Sequence, residues 1–348
     1  MELRLDKLSI KKIKTMNQTK KVGILLMFAA VLTLCFSCGK KQSTSVGTTE
    51  DYSKIDIPQF SADSAYAYVK AQCDFGPRVP NSKAAKDCGD YIIGFMKQYA
   101  DTVIVQSFSA TLWNGNTVEG RNIIASFNPD SETRVLMAAH WDSRLWADHD
   151  PEEANHHTPI LGANDGASGV GVLMEIARVF KTKACKQGLD IVLFDLEDQG
   201  SPQWSDVEIE DQSDWCLGSQ HWAKNPHTPF YRADYGILLD MVGYKNARFT
   251  KEAQSMYYAS STMNKIWDIA SAKGYSDIFV SEKTYPIMDD HVWVNQIAKI
   301  PMIDIVQNDV SGSFFPYWHT LKDDMEQIDR RTLKIVADVC LTAIYSGQ

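Results

Sequence analysis

Three stretches of this chain run from apolar residues straight into acids or a histidine. Val135-Leu136-Met137-Ala138-Ala139 leads into His140-Trp141-Asp142, Ile191-Val192-Leu193-Phe194 into Asp195-Leu196-Glu197-Asp198, and Ile237-Leu238-Leu239 into Asp240. Asp165 lies in Gly162-Ala163-Asn164-Asp165-Gly166-Ala167-Ser168-Gly169, a run of small residues where backbone can approach a ligand and a carboxylate can point into a cleft. Asp289-Asp290-His291 and Trp318-His319-Thr320 complete the set. Taken singly, each piece reads as a helix cap, a solvated loop or a surface imidazole. Together they form a constellation of carboxylates and imidazoles, residue types that can ligate a metal or carry protons.

These groups need a frame that brings them together. Short β-branched or apolar runs predict strands over 102–109, 122–127, 135–139, 190–195, 235–241 and 302–306. Ser61 and Ser82 are placed to cap helices running to Gln72 and Tyr99, and further helices fit over 169–181, 261–273, 291–299 and 331–345. The alternation predicts a single-domain α/β fold, a three-layer α/β/α sandwich around a mixed, mainly parallel central sheet. Sheets of this kind bind ligands beyond the carboxyl ends of their strands, where His140, Asp195, Glu197, Asp198 and Asp240 would converge.

The 348 residues are 44% apolar, 11% aromatic and 23% charged, a composition that builds a sizeable core and excludes a disordered, collagenous, coiled-coil or polytopic membrane chain. Net charge is −9; beyond residue 38 there are 28 basic against 42 acidic residues, so the body is a poor partner for nucleic acid. Six lysines from Lys7 to Lys21 precede an apolar run from Val22 to Leu34, the form of an export signal. Leu34-Cys35-Phe36-Ser37-Cys38-Gly39 resembles a relaxed bacterial lipoprotein box with Cys38 as the lipidated residue. The expected organisation is a signal peptide over 1–37, a flexible tether over 38–55 and a catalytic domain over 56–348. Such a chain is exported and membrane-anchored through its lipid alone, and Lys40-Lys41 in place of an acidic run points to the periplasmic side. Five body cysteines form no zinc-spaced cluster; they read mainly as core residues, with Cys73 and Cys88 the pair considered for a disulfide.

The six polar motifs follow the order found in zinc aminopeptidase-like α/β proteins, which the chain resembles over about residues 60–345. Within that superfamily it most resembles the glutaminyl cyclases, zinc-dependent glutaminyl-peptide cyclotransferases of the bacterial type related to the animal enzymes. The resemblance rests on Trp318 before the histidine, on Asp289-Asp290-His291 where peptidases more often have Ser-Asp-His, and on Phe314-Phe315-Pro316. It implies one zinc per chain held by Asp165, Asp198 and His319, with Asp198 departing from the usual glutamate. It also implies Glu197 as general base and acid, and Asp240 with Asp289 as a hydrogen-bonded acid pair. Trp318, Phe315 and Trp204 would wall the substrate pocket, with His140 beside them; Arg144 and Trp146 are candidates for its rim. The implied substrates are peptides or proteins with N-terminal glutamine. Two-zinc aminopeptidases hold a second metal at positions like His140 and Asp240, so a zinc aminopeptidase is the alternative, with a metal-free binding lipoprotein as a third reading.

Overall fold

A computed structural model describes residues 50–207, 209 and 212–347. The signal segment, Cys38 and the tether as far as residue 49 lie outside the described residues. The body begins before residue 56, because Tyr52 and Ile55 already pack against the core.

Ser61 and Ser82 start helices as their positions predict. Each hydroxyl accepts a backbone N–H three residues on, from Ser64 at 3.1 Å and Ala85 at 3.0 Å, a cap that contributes about 1 kcal/mol. They open α1 (Ala62–Asp74) and α2 (Lys83–Met96). The strands are β1 (Thr102–Thr111), β2 (Thr117–Phe127), β3 (Arg134–His140), β4 (Gly188–Phe194), β5 (Tyr235–Asp240), β6 (Phe249–Lys251), β7 (Phe279–Lys283) and β8 (Met302–Val306). The later helices are α3 (Ala167–Phe180), α4 (Leu217–Lys224), α5 (Ala253–Ala272), α6 (Asp290–Trp293) and α7 (Arg330–Tyr345), with a π-helical turn, Val294–Ala298, directly after α6.

Six strands form one sheet in the order β1-β2-β4-β3-β5-β8. β1–β2 and β2–β4 are antiparallel, whereas β4–β3, β3–β5 and β5–β8 are parallel. Side chains alternate between two cores. Val135, Met137 and Ala139 of β3 and Leu189, Ile191 and Leu193 of β4 enter the larger one, with α1, α2, α3, α5 and α7. Leu136, Ala138, Val192 and Phe194 point the other way, onto Trp222 and Ala223 of α4 and Val294. Burial on both faces explains why these strands read as continuous apolar runs. The result is the anticipated three-layer α/β/α sandwich. Among the described residues, no helix is long and apolar enough to cross a membrane.

Four elements depart from the sequence reading. α4 and the parallel pair β6–β7 were not anticipated; β6 has three residues and β7 buries only its first, so neither carries a usable period. α5 begins at Ala253 rather than Ser261, since Ala259 (φ −141°, ψ 41°) kinks the helix and breaks its apolar stripe. The bridge considered between Cys73 and Cys88 is not formed: both are free thiols in the core, and burial pushes them up to about 12 and about 11.

Candidate active site

The parallel register sets His140 opposite Phe194 and Ala138 opposite Leu238, so β3, β4 and β5 deliver their terminal groups to one edge. Sharp turns follow. Leu196, Met241, Cys216 and His319 all have positive φ, between 50° and 57°, a conformation that costs a non-glycine residue about 1–2 kcal/mol and collects at functional sites. Asp142 organises the β4 turn: its carboxylate accepts the backbone N–H of Glu197 at 3.1 Å and of Asp198 at 3.2 Å, and the Gln199 amide at 2.9 Å.

Asp165 arrives from the loop ahead of α3, which is held from two sides. Asp323 accepts the N–H groups of Asn164 (2.8 Å) and Asp165 (3.0 Å). The fully buried Arg78 donates to the carbonyls of Trp141, Leu161 and Gly162. Gly166 has φ +77°, and a Cβ there would lie 2.8 Å from the His140 ring, so glycine lets the loop close over that imidazole.

The expected ligand trio is assembled. Ligand atoms of Asp165, Asp198 and His319 all fall within 4.8 Å of one another, with His319 Nε2 at 3.0 Å from Asp198 and 3.6 Å from Asp165. All three are buried, and Oδ2 of both Asp165 and Asp198 lacks a hydrogen-bond donor. Two carboxylates with orphaned oxygens beside an imidazole nitrogen fit a zinc ion, which takes oxygen and nitrogen ligands in this number while keeping an open position. A second trio, His140, Asp165 and Asp240, shares Asp165: His140 Nε2 lies 3.0 Å from Asp165 and 3.2 Å from Asp240. Burial, the largest influence, pushes Asp198 up to about 6 against the pull of His319 and Arg144, and Asp240 to about 7 against that of His140, so desolvation outweighs the cationic groups beside these acids.

Glu197 stands beside the first trio, within ligand distance of Asp289 and Cys216, whose thiol donates to Glu197 Oε1 at 3.2 Å. Burial above all, with the negative charges of Asp289 and Asp198, drives its carboxyl well above the usual range while His140 pulls it back. A carboxyl held up in this way favours its protonated form more than a solvated glutamate does, as a proton carrier beside a reacting amine must. The anticipated hydrogen bond between Asp240 and Asp289 is not seen among the described residues. Asp240 lies 3.2 Å from His140 Nε2, and Asp289 has His291 and Asp304, a β8 residue with no motif around it, within 4.8 Å, both Asp304 oxygens lacking a hydrogen-bond partner. Asp240 and Asp289 remain close enough for the charge of Asp289 to help push the Asp240 carboxyl up.

A cleft of about 320 Å³ opens above these groups, lined by Asp165, Glu197, Asp198, Asp240, Asp289 and His319 at its base and by Trp215, Phe314, Trp318 and Tyr285 along its sides. Trp318 lines the cleft and its ring centroid lies 3.8 Å from that of His319, while the Trp215 ring stacks within 6° of parallel to His319 at 6.2 Å. Four assignments change. Phe315 is 2% exposed and packs behind the cleft with Tyr244 and Tyr317, so its neighbour Phe314 supplies the wall. Trp204 is 38% exposed and lies against Trp146, His156 and His157, away from the cleft lining. His140 is buried beneath the acids and touches them, leaving the cleft surface to others. Arg144 is fully buried under the site rather than on its rim, where it pairs with Asp148. Trp215, Asp148, Asp304 and Arg78 escaped sequence reading; only the four-residue spacing of Arg144 and Asp148, inside an acid- and histidine-rich loop, hinted at any of them.

An α/β/α sandwich whose parallel strand ends carry two carboxylate–imidazole trios sharing one aspartate defines a zinc exopeptidase-like protein. The chain belongs to peptidase family M28, whose sequence pattern it matches over residues 122–344. It is similar to a Zn-dependent exopeptidase from Parabacteroides distasonis, with TM-score 0.81 and 49% identity over 84% of this chain and 100% of that one. It is equally similar to Bacteroides thetaiotaomicron glutaminyl cyclase bound to N-acetylhistamine, with TM-score 0.82 and 47% identity over the same shares. The glutaminyl-peptide cyclotransferase of Gloydius blomhoffii is 26% identical over 247 residues, and the chain spans 61% of that relative's length.

Proposed function

We propose that this chain is a glutaminyl-peptide cyclotransferase that converts N-terminal glutamine of exported peptides and proteins to pyroglutamate with release of ammonia. The observation that carries the reading is Glu197 at the base of a narrow cleft walled by Trp215, Phe314 and Trp318, directly beside the Asp165/Asp198/His319 trio. The likeness to a bacterial glutaminyl cyclase over the whole of that enzyme supports it.

Cyclisation is an intramolecular acyl transfer. The α-amine nitrogen forms a bond to the side-chain amide carbon, the bond from that carbon to the amide nitrogen breaks, and no water is consumed. Glu197 takes a proton from the attacking amine and returns it to the departing nitrogen, which leaves as ammonia. Asp289, with a carboxylate oxygen within 4.8 Å of Glu197 and lining the cleft, accepts an N–H of the amine or of the leaving amide. The aromatic walls fold the flexible side chain back onto its own amine and exclude water from the reacting atoms. Asp165, Asp198 and His319 would hold a single zinc, whose chemistry is Lewis-acid polarisation of the γ-carbonyl. Anchoring by lipid at Cys38, on the periplasmic side, belongs to the same proposal and is supported by the basic and apolar N-terminal segment.

A zinc aminopeptidase is the second reading, favoured by the His140/Asp165/Asp240 trio, which is suited to a second ion. One experiment separates the two. The purified body is incubated with Gln- and Leu-initiated peptides, products are read by mass spectrometry and zinc by elemental analysis. A Gln peptide lighter by one ammonia with every peptide bond intact, at one zinc per chain, is the expected result. Release of free N-terminal amino acid at two zincs per chain would establish the aminopeptidase instead.

A further inference from the structure

The proposed chemistry uses one nitrogen of His319. The other, Nδ1, faces away from the cleft and lies 3.3 Å from Oδ1 of Asp148. That carboxylate is buried and surrounded only by donors. Oδ1 also accepts Arg144 Nε at 3.1 Å, while Oδ2 accepts Arg144 Nη2 at 2.6 Å and the Gln203 backbone N–H at 3.3 Å. We propose that Asp148, clamped by Arg144, is a positioning residue that fixes His319 in the Nδ1–H tautomer and so aims the Nε2 lone pair at Asp165 and Asp198.

A neutral imidazole has one N–H and one lone pair, and the hydrogen bond made by one nitrogen decides the role of the other. With no acceptor at Nδ1, the proton could sit on Nε2, where it would face the carboxylates and block coordination. The surrounding backbone keeps the arrangement in register. His149 N–H donates to the His319 carbonyl at 3.1 Å, and Leu321 N–H donates to Asp150 Oδ2 at 3.0 Å. The loop bearing Asp148 is thereby fastened on both sides of the left-handed residue His319. The same guanidinium donates through Nη1 to the carbonyls of Asp198 at 3.1 Å and Gly200 at 3.0 Å. One buried cation therefore references two of the three proposed ligands to each other.

The inference rests on the reading of Asp165, Asp198 and His319 as metal-holding residues, and its test keeps the two apart. Asp148→Asn is nearly isosteric, but either orientation of its amide sets an NH2 group against donors: Arg144 with His319 on one side, Arg144 with Gln203 on the other. Zinc affinity of the full protein, measured by competition with a chromogenic chelator, should fall about 10- to 100-fold in Asp148→Asn. Nitrogen-15 NMR of the zinc-loaded wild type should show a protected Nδ1–H proton on His319, assigned by its absence in His319→Gln; this measurement decides the matter if Asp148→Asn does not fold. Unchanged zinc affinity in the folded variant, or an Nδ1 without a proton in the wild type, overturns the inference. A wild type that binds no zinc defeats the metal reading itself.

Discussion

At the scale of single residues, proton handling is divided among carboxylates by what each one touches. Glu197 meets the cleft, a thiol and another acid, with no arginine or lysine recorded against it among the described residues. Replacing Glu197 by Gln keeps the shape and removes the proton carrier, so zinc content should stay at the wild-type level while kcat falls about 10²- to 10⁴-fold. A variant that lost its zinc would make Glu197 a ligand. Asp304 poses a different question. Burial and the charge of Asp289 hold its carboxyl well above the usual range in the folded protein. An acid raised on folding binds more protons folded than unfolded, so stability falls as pH rises from the unfolded value through the folded one. Asp304→Asn, which mimics the protonated form, should therefore lose less stability than wild type as pH is raised above the ordinary carboxylate range, measured by denaturant unfolding. A steeper loss in the variant would show that Asp304 is ionised in the fold.

The elements explain how such a crowd of acids is tolerated. Buried polar groups tie the loops around the site: Asp142 holds the turn after β4, Asp323 the Asp165 loop, and Arg144 the Asp148 carboxylate within its own loop. Arg78 belongs to this set although it touches none of the reactive groups. Its guanidinium satisfies the carbonyls of Trp141, Leu161 and Gly162 at zero exposure. Arg78→Met would leave those carbonyls without donors in a dry site, each costing about 1–3 kcal/mol. Destabilisation of about 3 kcal/mol or more is expected by urea unfolding, with weakened zinc binding because the loop carrying Asp165 loosens. A loss under 1 kcal/mol would mean that water reaches those carbonyls in place of the guanidinium.

For the molecule as a whole, the sandwich buries its sheet on both faces and leaves the chemistry at one edge. The proposed lipidated residue, Cys38, lies well before Tyr52, which packs on the core. Anchoring and catalysis should then be separable. Cys38→Ala is expected to abolish lipid labelling and move the protein out of the mature membrane-bound form while purified body turns over at the wild-type rate. Unchanged lipid labelling would place the anchor elsewhere.

Much of this protein was legible in the order of its residues. Strands buried on both faces must be continuously apolar, so β3, β4, β5 and β8 were visible as runs, and the polar residues at their ends were visible as interruptions. Serine caps announced α1 and α2 because capping is local chemistry. The trio Asp165, Asp198 and His319 came from motif order and is assembled as expected. What tertiary structure decided was the partner of each group. Asp304, not only Asp240, lies close to Asp289, Phe314 rather than Phe315 faces the cleft, and Trp215 rather than Trp204 stacks beside His319. Adjacent residues point in different directions according to backbone angles that composition does not reveal. Buried ion pairs such as Arg144–Asp148 look, in sequence, like ordinary solvated charge. Their burial follows from how loops from distant parts of the chain close over one sheet edge, a property of the packed molecule and of no single segment.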